Sequence, residues 1–241
     1  MKTSQWLAML LTVCGTFAAT AAGQAPSLSL VIASQYVSPH GILLHDGPVL
    51  QTDLRATFPG GFTAGVWWST GLNGEGLSSD KADELDPYVD WSRKWTRWQL
   101  QSRLAYFNFI ELDRMRGDLL VASVEIGREL KLGKHTLVPF TRLEHRSRLP
   151  SFDFGRWMPV LGLSHQWALS SDIRFSQRAG LVYDSGVPVS DSGYLLQYKA
   201  TLAIKLSAKV SLEPFIRLSL PLEALDSRER QVIGAIGLNL R

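Results

Sequence analysis

Serine beside histidine is the pairing that supplies a nucleophile with its base, and the sequence offers it at Ser164-His165, with His145 as a second base candidate. A lipid hydrolase built on a membrane barrel would need these groups side by side at a rim. In an extended strand Ser164 and His165 point to opposite faces. No nucleophile elbow and no His-Ser-Asn-like cluster accompanies them. The chain therefore does not read as an enzyme. His40, His45 and Asp46 share a loop and have the chemistry of metal ligands, and Asp80, Asp83, Glu84 and Asp86 have that of a calcium site. The acidic stretch lacks the glycine and ligand spacing of an EF-hand, and paired loop histidines are short of a zinc set. No metal or cofactor is expected. Cys14 is the single cysteine, so there is no disulfide framework.

The remaining charges suggest conduction. Arg55, Arg103, Arg142, Arg146, Arg174, Arg178, Lys199, Lys205 and Arg217 alternate with apolar residues, and so do Asp53, Glu84, Asp86, Asp90, Glu125, Glu129, Glu144 and Glu213. A charge among lipid tails costs about 3 kcal/mol or more. If the apolar neighbours face lipid, these groups must face a wet interior, where they pair or meet solutes.

Extended runs must hold them there. From Leu28 onward apolar residues recur at i, i+2 and i+4, the strand period. Leu50, Thr52, Leu54, Ala56 and Phe58 alternate with Gln51, Asp53, Arg55 and Thr57, and the stretches 196–206 and 210–220 alternate likewise. Twelve runs can be marked: 28–37, 48–58, 62–71, 83–95, 96–109, 118–132, 135–148, 156–169, 172–184, 193–207, 209–222 and 229–241. They exceed the usual strand of about 5–6 residues. Short connections (59–61, 95–96, 133–134, 170–171, 208–209) alternate with long ones (38–47, 72–82, 110–117, 149–155, 185–192, 223–228). The expected fold is all-β, a transmembrane antiparallel up-and-down barrel of about twelve strands, with periplasmic turns and extracellular loops. Trp68, Tyr106, Trp157, Tyr183 and Tyr194 fall on the lipid-facing parity at the loop ends. Phe58, Phe62, Trp91, Trp95, Trp98 and Trp167 do so at the turn ends, giving two interfacial girdles. Pro139, Pro159 and Pro214 share that parity and predict local bulges or lost ladder bonds.

In a ring of twelve, the acids of the fourth and sixth runs (Glu84, Asp86, Asp90, Glu125, Glu129) oppose the bases of the ninth to eleventh (Arg174, Arg178, Lys199, Lys205, Arg217). Facing rows of opposite charge orient dipolar solutes. Nine bases against eight acids do not favour a path dedicated to acidic oligosaccharides. Twelve strands lie between the filled eight-stranded barrel and the open sixteen-stranded one.

Residues 1–23 read as a secretory signal peptide, with Lys2 before an apolar stretch that ends in small residues, and 24–241 as the barrel domain. No later run reaches about 18 consecutive apolar residues, so no transmembrane helix is expected. The net charge of +3 gives no support for nucleic-acid binding. The sequence thus predicts a monomeric outer-membrane porin passing small hydrophilic solutes. Its partners would be the bilayer, lipopolysaccharide, the barrel-assembly machinery and the solutes themselves. The alternative is an occluded barrel with a structural or loop-mediated binding role.

Ala33-Ser34-Gln35-Tyr36-Val37, Gly41-Ile42, Gly47-Pro48-Val49-Leu50-Gln51, Gly61 to Ser69 and Ala82 to Tyr88 carry a family likeness. Over residues 28–92 the chain resembles the TorF-type family of bacterial outer-membrane porins, and the resemblance implies a channel. Pro39-His40 stands where the family carries an Arg before the Gly-Ile pair. The chain ends Leu240-Arg241, whereas outer-membrane barrels close on an aromatic residue.

Overall fold

Long strands with two unlike faces need ladder partners on both edges, and a closed ring supplies them. The computed structural model describes residues 26–38, 41, 43–72, 83–108, 118–148, 156–185, 192–222 and 230–240. The predicted leader with Cys14, together with His40 and Asp80, lies outside these residues. Twelve barrel strands are present: β1 (Ser27–Ala33), β2 (Val49–Phe58), β3 (Phe62–Gly71), β4 (Glu84–Trp95), β5 (Trp98–Phe107), β6 (Leu119–Arg128, continued in unchanged register as Leu130–Leu132), β7 (His135–Arg148), β8 (Arg156–Ala168), β9 (Ile173–Asp184), β10 (Gly193–Lys205), β11 (Val210–Leu222) and β12 (Gln231–Leu240). Each pairs antiparallel with its neighbours in sequence, and β1 closes the ring on β12 from Leu28↔Leu240 to Ala33↔Ala235. Both ends of the barrel domain lie on the side of the short turns. Among the described residues no helix is long and apolar enough to cross a membrane.

The faces sort as the alternation requires. Ile32, Val89, Leu104, Val124, Leu161, Ile216, Val232 and Ile236 are exposed on the outside. A continuous apolar band of this extent exceeds what a soluble surface carries. Trp68, Trp95, Trp98, Trp157, Trp167 and Tyr183 are exposed at its two edges. Trp91 sits at the turn edge and donates its indole N–H to Gly60 O at 3.1 Å. Tyr106, at the loop edge, donates its hydroxyl to Asp118.

Two expectations are corrected. The first strand does not run to residue 37 but ends at Ala33, and the following segment is not an outward loop. It turns into the barrel as a short hairpin, Tyr36–Val37 against Leu43–His45. The second correction is partial: of the bulges or lost ladder bonds expected at the prolines, no bulge forms and the lost ladder bond is seen at Pro214. Pro139 and Pro159 stand in unshifted register between β7 and β8. At Pro214 the β11–β12 register is likewise intact, while the β10–β11 ladder skips from Thr201↔Phe215 to Ile204↔Leu212. A missing amide donor interrupts a ladder without adding a residue to it.

Candidate functional site

The charged residues meet inside the barrel. In its turn-side half a cavity of about 700 Å³ is lined by Arg55, Asp90, Arg103, Glu125, Arg142 and Arg178 together with Ser, Thr and Gln side chains. Both acids that line it, Asp90 and Glu125, are engaged. Arg103 on β5 grips Asp90 on β4 with two N–H donors at 2.7 and 2.8 Å. Arg55 lies 3.7 Å from Asp53 on its own strand. Arg178 on β9 reaches Glu125 on β6, three strands away, and donates to Ser164 at 3.2 Å. The predicted opposition of acidic and basic walls is therefore compensated in part: by bonds between neighbouring strands, and by one bond across the lumen.

Aromatic rings fix these cations in place. Tyr88 lies so close over Gly65 that a Cβ there would come within 2.5 Å of its ring. Its hydroxyl donates to Asp53 at 2.7 Å, and Arg103 stacks 4.4 Å from the ring centroid. Phe140 covers Gly162 in the same way, with 2.2 Å to a Cβ there, and Arg178 stacks 3.7 Å from that ring. A glycine on one strand thus lets a ring lie flat on the wall, and the ring holds a guanidinium by cation–π attraction.

Above this cavity lies a second of about 310 Å³, lined by Gln35, Gln51, Gln197, Arg142, Arg178, Lys199 and Arg217 with Phe140 and Phe215. Among the described residues no carboxylate lines it. The Lys199 ammonium sits 4.0 Å over Phe215. The inward hairpin forms its loop-side boundary. Arg217 donates to Val37 O at 3.3 Å and Ser38 O at 3.1 Å, Gln35 donates to Gln231 at 2.9 Å, and Tyr36 donates to Glu84. Val37 and His45 are buried. Val37 and Tyr36 pack with Ala33, Val49, Ile233 and Ala235, so the hairpin has a small apolar core of its own against β1, β2 and β12.

At the loop-side end the predicted acids are deeply buried. Glu84 and Asp86 stand on β4, with Asp86 accepting the Asn108 N–H at 3.2 Å. Arg146 is buried on β7 and donates to Glu144 at 2.6 Å. Glu213 accepts from Ser211 at 3.3 Å. Arg174 is exposed at the turn end of β9, and Lys205 at that of β10. Among the described residues no three His, Cys, Asp or Glu side chains converge as metal ligands. Ser164 points into the lumen toward Arg178, whereas the His165 Nε2 lies 2.9 Å from His135 Nδ1 on the outer face. His145 packs against Trp157 at a tilt of 56°, with ring centroids 4.5 Å apart. Ser147 Oγ lies 3.5 Å from its Nδ1, and among the described residues no third group orients the pair.

Sequence reasoning missed Tyr36, Tyr88 and Phe140. Tyr36 continued the strand alternation. The other two had the inward parity of the charges, and a glycine directly opposite on a neighbouring strand was the available signal.

Neither a family model nor a curated protein matches the chain. Solved structures do. The NanC porin aligns with a TM-score of 0.57 at 11% identity, covering 89% of this chain and 99% of that one. The KdgM porin, in complex with disordered oligogalacturonate, aligns with a TM-score of 0.55 at 9% identity, covering 89% and 98%. An outer membrane channel from Pseudomonas putida F1 aligns with a TM-score of 0.57 at 10% identity, covering 89% and 93%. The fold of this chain is that of outer-membrane porin and channel barrels.

Proposed function

We propose that the chain is an outer-membrane channel of the TorF type, exported with cleavage of residues 1–23, that passes small hydrophilic solutes. The observation that carries this reading is the polar cavity of about 700 Å³ inside a lipid-compatible shell. A purely structural barrel would have no reason to keep stacked, extended guanidinium groups around water. The cations that line the upper cavity favour solutes bearing an anionic group. The oligogalacturonate of the KdgM complex is one such class, although the lumen here is mixed in charge. The bilayer, lipopolysaccharide and the assembly machinery are its expected surroundings, and a monomer is its expected state.

One observation favours a second reading, the occluded barrel: the hairpin strands Tyr36–Val37 and Leu43–His45 stand inside the loop-side half. Planar-bilayer recording separates the two. Discrete conductance steps with a reversal potential on the anion side support the channel. A folded, heat-modifiable barrel that inserts and stays silent overturns it and favours occlusion.

A further inference from the structure

The turns are unequally charged. The segments Arg93–Trp98 and Arg128–Lys134 hold six cations (Arg93, Lys94, Arg97, Arg128, Lys131, Lys134) against the one acid Glu129. The other three turns, 59–61, 169–172 and 206–209, hold one acid and one base between them, Asp172 and Lys209. These two charged segments are neighbours in space: the Glu129 N–H donates to Arg97 O at 2.6 Å, and its carboxylate takes Lys94 and, at 3.4 Å, Lys131. Glu129, Lys94 and Lys131 thereby satisfy one another on the inward side.

The other four cations are left over. Among the described residues Arg93, Arg97, Arg128 and Lys134 make no ion pair. Two of them have the parity of the lipid-facing side. Trp95 faces Trp98 in register, Trp98 faces Arg128, and Arg93 lies two residues along β4 from Trp95 on the same face, diagonal to Trp98. Arg128 stacks 5.7 Å from the Trp98 ring. Trp95, Trp98, Leu130 and Leu132 are exposed around them. Interfacial tryptophans mark the depth of the headgroups. Two guanidinium groups therefore flank a tryptophan at the depth where lipid phosphates lie, with acyl-chain contact available from Ile126, exposed two residues nearer the bilayer centre on β6. A guanidinium binds a phosphate with two parallel donors.

We infer that this rim, from β4 to the β6–β7 turn, is a binding site for an anionic phospholipid of the turn-side leaflet. Arg93 and Arg128 clamp its phosphate, and Arg97 and Lys134 supply the surrounding field. The inference rests on the membrane reading of the barrel. Zwitterionic lipids carry the same phosphate, but their ammonium cancels the attraction to the four uncompensated cations.

Native mass spectrometry of the full-length barrel, released from vesicles of equimolar phosphatidylglycerol and phosphatidylcholine, tests it. The expected result is preferential retention of phosphatidylglycerol. Arg93→Gln with Arg128→Gln should reduce that preference by roughly fivefold per cation. Lys205→Gln with Lys209→Gln, on the same turn-side rim but across the ring at the β10–β11 turn, should leave it unchanged. Equal retention of the two lipids overturns the site. Equal loss in both double variants overturns it as well, since the attraction would then be diffuse. Displacement of the lipid by millimolar inorganic phosphate would show a free-anion site and reject the headgroup. Failure of the protein to insert into the vesicles would refute the membrane reading itself, a separate outcome.

Discussion

Gly41 has φ +73°, and a Cβ there would stand 2.6 Å from Ser219 Oγ and 3.2 Å from a Leu195 methyl. The left-handed backbone costs an L-residue about 1–2 kcal/mol, and the contact adds to it. Gly41→Ala is therefore expected to unseat the inward hairpin while leaving the barrel ladders whole. Limited proteolysis of the intact vesicle-bound protein should then cut near residue 41, where the native chain resists. Because the clash falls partly on a hydroxyl, Ser219→Ala should restore some of that resistance. The sequence did not disclose the hairpin, since Gln35-Tyr36-Val37 prolongs the alternation of β1. The contacts that draw the chain inward come from Glu84 and Arg217, far away in sequence. Glu129 is a second residue with a testable role. It takes Lys94 and Lys131, and its amide donates to Arg97 O at 2.6 Å, so it ties the two turns together. Glu129→Gln removes both ion pairs and should accelerate hydrogen exchange at the residue 129 amide, whereas Lys131→Gln, which leaves the Lys94 bond, should do so less.

At the scale of elements, the strand period was legible because each strand has a lipid side and a water side, and parity follows from that alone. The prolines were legible as positions but not in effect, because the sequence does not show whether a lost amide bond is absorbed by register. Least legible was a polar chain on the outer face of four successive strands. Tyr198 donates to Gln177 Oε1 at 2.8 Å, Gln177 Nε2 lies 3.4 Å from His165 Nδ1, and His165 Nε2 lies 2.9 Å from His135 Nδ1. Each group satisfies its neighbour, so a polar row can stand beside lipid where water is scarce. Gln177→Leu makes the surface more lipophilic and yet should destabilise the barrel by about 1–3 kcal/mol, because it strands the Tyr198 hydroxyl and a histidine nitrogen. Tyr198→Phe in the same chain should recover part of the loss. Urea unfolding from liposomes measures both, and a stabilising Gln177→Leu would show that the row is not made in the membrane.

For the molecule as a whole, closure, strand number and the sidedness of the turns were readable because they depend on local pattern repeated around a ring. The state of the lumen was not, because it depends on which side chains meet across it. Arg178 reaching Glu125 and Arg217 reaching the hairpin carbonyls are encounters between strands separated in sequence by 53 residues and by about 180. These encounters divide the interior into a turn-side half that holds the larger polar cavity and a loop-side half occupied by the hairpin. Conductance through resistances in series is governed by the narrower part, so the hairpin and not the larger cavity should set the current. Arg217→Met removes two donors to the hairpin backbone while keeping most of the side-chain volume. Single-channel current should rise and grow noisier as the hairpin moves, and Tyr36→Phe, which removes the bond to Glu84, should add to the effect. Arg103→Met alters the wide cavity alone and should change the current far less. If Arg217→Met and Arg103→Met raise the current equally, the resistance is spread along the lumen and the hairpin is no constriction.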